Sequence, residues 1–212
     1  MAIKVNTTEI PTTLIEAKRW WRGEIKKRLA ATTPEYRTAS SEAIAEALLT
    51  TDEYKSAKTI MLYVSVGREV ETKSLIDKAV RDGKNVCLPL CLDMDAEGRR
   101  LSSEHIMEAR AYTCERDLVP GAYGIPTPDG TTVLVRPEEI DLVVLPCVTC
   151  DVECNRLGHG AGYYDRYLKQ LREGCAQIAL CYEEVIGEKI PTEEHDRPVD
   201  AVISEERIYR RK

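Results

Sequence analysis

Apolar positions recur along this chain with two different periods, and the switches between them predict its elements. Leu14, Ala17, Trp21, Ile25 and Leu29 follow one another at three- and four-residue intervals, the spacing that gathers side chains along one side of a helix. Lys18, Arg22 and Lys26 fall on a neighbouring face of the same helix. Thr33-Pro34-Glu35 reads as a cap followed by proline at the first helical position, opening a second helix to about Leu49. Thr59 to Val66 (TIMLYVSV) is apolar and β-branched, a strand covered on both faces. Thr72 is placed to cap a helix ending at Gly83, and Asn85 to Leu90 makes the next strand. Strand, helix, strand is the grammar of a parallel sheet.

Further along, Asp141 to Val148 (DLVVLPCV), Gln177 to Tyr182 and Ala201 to Ser204 add strands, and Tyr163 to Glu173 adds a helix. Between residues 92 and 131 the periodicity gives way to turn formers: Pro120-Gly121, Pro126, Pro128 and Asp129-Gly130. A hairpin and an extended loop belong there. The expected class is α/β, a three-layer α/β/α arrangement with a mostly parallel central sheet, N-terminal helices and an inserted hairpin and loop region. The expected organisation is one domain over residues 14–212, preceded by a flexible polar tail of residues 1–13.

Composition adds constraints. There is no phenylalanine, so apolar packing falls to aliphatic residues, ten tyrosines, two tryptophans and some of the eight cysteines. That many cysteines in 212 residues is well short of the roughly 8–10% of a disulfide scaffold. The N-terminus has no secretory apolar core, and the longest apolar run, Leu142 to Val148, is too short for a bilayer. These features predict a cytoplasmic protein with reduced thiols and no membrane partner. The net charge of −6 argues against broad nucleic-acid binding. Charge is nevertheless concentrated: Lys18, Arg19, Arg22, Lys26, Lys27 and Arg28 lie together with Glu24 as the one acid among them.

The segment Asn155-Arg-Leu-Gly-His-Gly-Ala-Gly-Tyr-Tyr-Asp165 joins a predicted strand to a predicted helix. Glycines at 158, 160 and 162 let the backbone turn tightly and bring its N–H groups up to an anion. A P-loop is excluded because no Lys-Ser/Thr pair follows the glycines. A dinucleotide fingerprint would need glycine at Tyr163, although Glu183 stands where its ribose-binding acid would be, so a nicotinamide-dependent oxidoreductase remains an alternative. Arg156 beside the loop, Asp165 after it and the basic helix favour phosphoryl transfer, with cationic side chains for phosphate and a carboxylate for Mg2+.

Several segments together resemble the 5-formyltetrahydrofolate cyclo-ligases, also called methenyltetrahydrofolate synthetases. They are RLGHGAGYYDRYL between the DLVVLPCV and ALCYEEV strands, then IPTEEHDRPVDAVISE, and upstream AKRWWRGEIKKRL, YVSVGREVET and GAYGIPTP. The resemblance implies ATP- and Mg2+-dependent conversion of 5-formyltetrahydrofolate to 5,10-methenyltetrahydrofolate, with ADP and phosphate released. Phosphorylation would turn the formyl oxygen into a leaving group, and N10 would attack the activated carbon. No protein nucleophile is needed, so catalysis would be orientation and charge stabilisation.

The resemblance also implies roles. Lys18, Arg22, Arg156 and Tyr163 match catalytic positions. Lys18, Arg19 and Arg22 of the first helix, with Arg156, Leu157, Gly158, His159, Gly160, Ala161, Gly162, Tyr163 and Tyr164, match the ATP site. Val64, Glu69, Tyr123 and Tyr163 match folate contacts, and Asp165 and Asp196 match Mg2+ ligands. Ala161 stands where the family often has glycine or lysine, which removes a charge near the transferred phosphoryl group. A monomer is expected, with a dimer as the alternative.

Cys147-x2-Cys150-x3-Cys154 offers a competing reading, a zinc or iron–sulfur module without catalysis. It lacks a second Cys-x2-Cys pair, and Cys87, Cys91 or Cys175 could contribute only if the fold gathered them. Packing is the favoured role, because cysteine at the end of a buried strand behaves as a small hydrophobe. By the family resemblance, Cys150 replaces a phenylalanine and Cys154 a glycine.

Overall fold

The computed structural model describes residues 10–95, 99, 101–193 and 196–211, with backbone alone at Tyr123. Most of the expected tail, residues 1–9, thus lies outside the described residues. Helix α1 (Leu14–Ala31) begins where the Thr13 side chain accepts a hydrogen bond from the Glu16 amide, and it buries Ala17, Trp21 and Ile25 of the predicted stripe. Helix α2 (Pro34–Thr50) starts at the Thr33 cap as expected. A single extra turn, α3 (Asp52–Ser56), follows without any periodic signature in the sequence.

Strand β1 (Thr59–Met61), helix α4 (Lys73–Arg81) and strand β2 (Asn85–Cys91) form the expected βαβ unit. The irregular stretch supplies β3 (Met107–Tyr112), β4 (Leu118–Pro120), β5 (Pro126–Pro128) and β6 (Leu134–Val135). Then come β7 (Leu142–Leu145), a short ribbon of β8 (Thr149–Cys150) and β9 (Arg156–Leu157), helix α5 (Tyr163–Tyr167), β10 (Ala176–Leu180), β11 (Ala201–Ile203) and β12 (Ile208–Arg210).

Eight of these strands form one sheet in the order β12-β11-β10-β7-β1-β2-β3-β6. The central strands β11, β10, β7, β1 and β2 are parallel, and β12, β3 and β6 run antiparallel at the edges. Every residue of β7 and β11 is fully buried, which is why these strands read as continuous apolar runs rather than alternating ones. The α/β class with a mostly parallel sheet is therefore what forms, and the inserted region is the antiparallel β2-β3-β6 edge plus the separate β4-β5 ribbon. No helix among the described residues is long and apolar enough to cross a membrane.

Several boundaries differ from the sequence reading for identifiable reasons. The strand expected to reach Val66 ends its ladder at Met61. Beyond it the Thr72 hydroxyl takes over, donating to the Tyr63 carbonyl at 2.5 Å and accepting from the Ser65 amide at 3.2 Å. Thr72 consequently makes no side-chain cap on α4. The helix expected over 163–173 stops at Tyr167 and tightens into a 3-10 turn over Leu168–Gln170. Arg172 is drawn back to Asp141 at the start of β7, its guanidinium donating to Oδ1 at 2.6 Å. The β8-β9 ribbon and β12 are too short to carry a period that could predict them.

The strand order locates the crevice. From β1 the chain proceeds outward to β2, whereas from β7 it proceeds the other way to β10 and β11. The loops leaving the carboxyl ends of β1 and β7 diverge, and such a switch point is where open parallel sheets bind ligands.

Candidate active site

Two connected clefts occupy this end of the sheet. The larger, about 450 Å3, is lined by the whole Arg156–Asp165 segment, by Lys18 and Arg22 of α1, and by Glu193 and Asp196. The other, about 360 Å3, lies over the switch point itself, between Val66–Glu69 after β1, Cys147 and Val148 after β7, and Arg22, Ile25, Lys26 and Leu29 of α1. Arg22 and His159 line both.

The basic helix does reach the glycine loop, and packing explains how. Trp21 lies against Gly187, where an added Cβ would stand 3.0 Å from the indole ring. With the Trp21 side fixed to the core, Lys18 and Arg22 are presented to the loop. Arg22 Nε donates to the Gly158 carbonyl at 2.8 Å. The rest of its guanidinium covers Gly160, whose φ of +102° favours glycine and where an added Cβ would stand 3.2 Å from Arg22 Cζ. Arg19, one position on from Lys18, is exposed and does not line this cleft, so the expected ATP contact is not supported for it.

Lys18 is only 14% exposed along its side chain and holds Asp196 at 2.7 Å and Glu193 at 2.9 Å. Burial pulls its pKa down, and the hydrogen bonds to Asp196 and Glu193 outweigh that, leaving it raised. Arg156, 7% exposed, donates to the Pro146 carbonyl at 3.2 Å and pairs with Asp165 at 2.5 Å. It also faces the Tyr164 ring, 5.9 Å from its centroid. Asp165 itself is 63% exposed. The two acids expected to bind Mg2+ thus share one wall, each beside a fixed cation.

The loop is braced from below. Buried Asp151 accepts from the Glu153, Asn155 and Ile190 amides at 2.9–3.1 Å, which fixes the turn between β8 and β9. Leu157 is buried, so it offers the cleft mainly backbone. Helix α5 has only five residues, so it brings little aligned dipole to the loop.

Glu69 crosses the switch point. Its Oε1 lies 2.8 Å from His159 Nε2, and its Oε2 accepts from the Val66 amide at 2.8 Å. The hydrogen bond to Glu69 raises the His159 pKa, against burial. Tyr182 and Ser41 carry the loop: the Tyr182 hydroxyl donates to the Glu69 carbonyl at 3.0 Å and meets Ser41 Oγ at 2.9 Å. Val64 opens instead onto a third cleft, about 290 Å3, with Ser65, Thr72 and Leu118. The expected folate contacts Val64 and Glu69 are thus not in one cleft, because the chain turns between them at Gly67. The side chain of Tyr123 lies outside the described residues.

Tyr163 lines the larger cleft and donates its hydroxyl to buried Asp93 at 2.6 Å. Asp93, Glu193 and Asp151 were all missed by the sequence reading, and only tertiary contact reveals them. The nicotinamide alternative fares poorly: Glu183 is buried and accepts from Ser204 at 2.7 Å and Tyr209 at 2.8 Å, committed to the far edge of the sheet. Of the cysteine motif, Cys147 and Cys150 do converge, but their third neighbour is Cys181 and not Cys154. Cys154 has φ +66°, a conformation that suits the glycine it was expected to replace.

Known proteins resemble this chain over nearly its whole length. The sequence profile of the 5-formyltetrahydrofolate cyclo-ligase family matches residues 14–205. A 5-formyltetrahydrofolate cyclo-ligase of Mus musculus is 32% identical over 207 residues, covering 92% of this chain and 96% of that protein. A probable 5-formyltetrahydrofolate cyclo-ligase of Schizosaccharomyces pombe is 30% identical over 187 residues, covering 81% and 87%. The solved structure of Aquifex aeolicus 5,10-methenyltetrahydrofolate synthetase superposes with a TM-score of 0.77 at 28% identity, covering 91% of this chain and 92% of that one. With the glycine loop, the basic helix and nearly the full length accounted for, the chain belongs to the 5-formyltetrahydrofolate cyclo-ligase family.

Proposed function

We propose that this protein closes 5-formyltetrahydrofolate to 5,10-methenyltetrahydrofolate at the expense of ATP, with Mg2+ as cofactor and ADP and phosphate as the other products. The observation that carries the reading is the convergence of Lys18, Arg22 and Arg156 on the Gly158–Gly162 loop in one cleft, beside Asp165 and Asp196. ATP supplies the phosphoryl group that makes the formyl oxygen a leaving group. Loop amides and the three cations hold phosphate oxygens, and this fixed positive charge meets the negative charge that develops during transfer. Asp165 and Asp196 would hold Mg2+, which takes one or two protein carboxylates and completes its shell with phosphate oxygen and water. Both acids fit, being oxygen ligands on the phosphate wall.

The folate belongs in the second cleft. Its walls are apolar at Ile25, Leu29, Val66 and Val148, and Glu69 presents acceptor oxygens suited to the amino and ring N–H donors of a reduced pterin. Arg22 and His159 line both clefts, so the formyl oxygen and the phosphate end meet across these two residues. Orientation of two bound reactants is itself a large contribution, on the order of 7–11 kcal/mol where geometry is good.

The test is direct. Folded protein given 5-formyltetrahydrofolate and Mg2+ should produce the ultraviolet absorbance of the methenyl product only when ATP is present, and absence of product overturns the reading. Asp165→Ala should abolish turnover with the fold intact, since the side chain is 63% exposed. Near-normal activity in that variant rejects its metal role.

A further inference from the structure

The thiols of Cys147, Cys150 and Cys181 all lie within 4.8 Å of one another, and they are the one such group of potential metal ligands among the described residues. The sheet assembles them. Strands β7 and β10 pair with Ala179 opposite Leu145, and continuing that register two places sets Cys181 beside Cys147. Cys150, in β8, turns back over the same spot. Three thiolates around one cation at about 2.3 Å stand roughly 4 Å apart, so the observed spacing already approximates a ligand set.

We propose that Cys147, Cys150 and Cys181 form a trithiolate site for Zn2+, with the fourth coordination position open to the cleft that Cys147 shares with His159 and Glu69. Cys150 and Cys181 are buried and Cys147 is half-buried at the cleft wall, so an ion would enter past Cys147. The Cys147 thiol faces those of Cys150 and Cys181 within the cluster. While neutral it donates to the Leu180 carbonyl at 3.2 Å. The Cys150 backbone amide supports the Cys181 sulfur, the kind of outer hydrogen bond that stabilises a ligating thiolate. Zn2+ with three thiolates carries one net negative charge, which the nearby Arg156 and His159 offset. Binding releases the thiol protons, and no electron transfer is involved.

Co2+ is the spectroscopic probe. Full-length reduced protein titrated with Co2+ without oxygen should develop an intense sulfur-to-cobalt charge-transfer band, saturate at one equivalent and lose the band on addition of Zn2+. Cys147→Ala and Cys181→Ala should abolish the band, while Cys154→Ala and Cys91→Ala should keep it. Should Cys181→Ala fail to fold, Cys147→Ala at the half-buried position carries the comparison, and slowed iodoacetamide labelling of Cys147 in the Zn2+-treated wild type is a second readout. A trio that is merely packed gives no charge-transfer band and no protection, and either result overturns the proposal, as does a band that survives Cys147→Ala.

Discussion

Tyr63 and Tyr167 are each 2% exposed, yet losing the same oxygen atom should move stability in opposite directions. The Tyr63 hydroxyl donates to the Val70 carbonyl at 3.1 Å, whereas the Tyr167 hydroxyl is buried with no partner among the described residues. In a chain with no phenylalanine, Tyr167 is where an apolar ring would serve better. Removing a bonded buried hydroxyl costs about 1–2 kcal/mol because its carbonyl is left unpaired, while removing an unpartnered one recovers about 1–3 kcal/mol of desolvation penalty. Tyr167→Phe should therefore stabilise and Tyr63→Phe destabilise, a difference of about 2–5 kcal/mol between variants of equal composition. At this chain length each kcal/mol moves Tm by about 2–4 °C. Urea unfolding followed by the fluorescence of Trp20 and Trp21 measures both, with the denaturant slope unchanged if the effect is on the native packing. Since Tyr167 ends the helix that follows the glycine loop, cyclisation activity should survive the change. A neutral or destabilising Tyr167→Phe would mean that the hydroxyl has a partner, such as a buried water, and would refute the reasoning.

The remaining expectations concern the cleft. Lys18→Met removes a half-buried cation from the cleft wall and should lower kcat by about 10²-fold, the usual scale for one lost donor; steady-state kinetics with ATP varied reads it, and wild-type kcat would take Lys18 out of the site. Gly160→Ala forces a side chain into a left-handed backbone under Arg22, a strain of about 1–3 kcal/mol; it should raise the KM for ATP by roughly tenfold or more, and an unchanged KM would show that the loop is not read by phosphate. His159 titrates above its ordinary 6.5 because of Glu69. Its charged pairing is fully present below pH 6.5 and fades as pH rises through the elevated value. Proton NMR titration of wild type and Glu69→Gln, with His159→Gln for assignment, should show the midpoint fall toward 6.5 in the Glu69 variant; an unmoved midpoint contradicts the pairing.

Much of the site was legible because its chemistry is local. The glycines, Arg156, Tyr163 and Asp165 lie within one short segment, and helical spacing put Lys18 and Arg22 on one face before any contact was known. Arg19, expected at the ATP site by family resemblance, is instead exposed and does not line the cleft, because neighbouring helix positions point in different directions. Tyr63 and Val64 read as strand because their composition is that of a strand; the hydroxyl of Thr72, nine residues beyond Tyr63, ended the ladder. Composition registers the burial of such residues and not the partner of their backbone.

By itself the sequence determined the α/β class, the βαβ order, the two N-terminal helices and the glycine-rich segment that lines the cleft, since each depends on periodicity or on residues a few positions apart. Tertiary structure alone decided the partners: Glu193 and Asp196 on Lys18, Asp93 on Tyr163, Glu69 on His159 and Cys181 beside Cys147. These pairs are separated by 34 to 178 residues. Their meeting is fixed by strand order and register, in which β7 and β10 become neighbours while β1 leads the other way. Pairing across a sheet is a choice made by the whole core at once, and no window along the chain contains it.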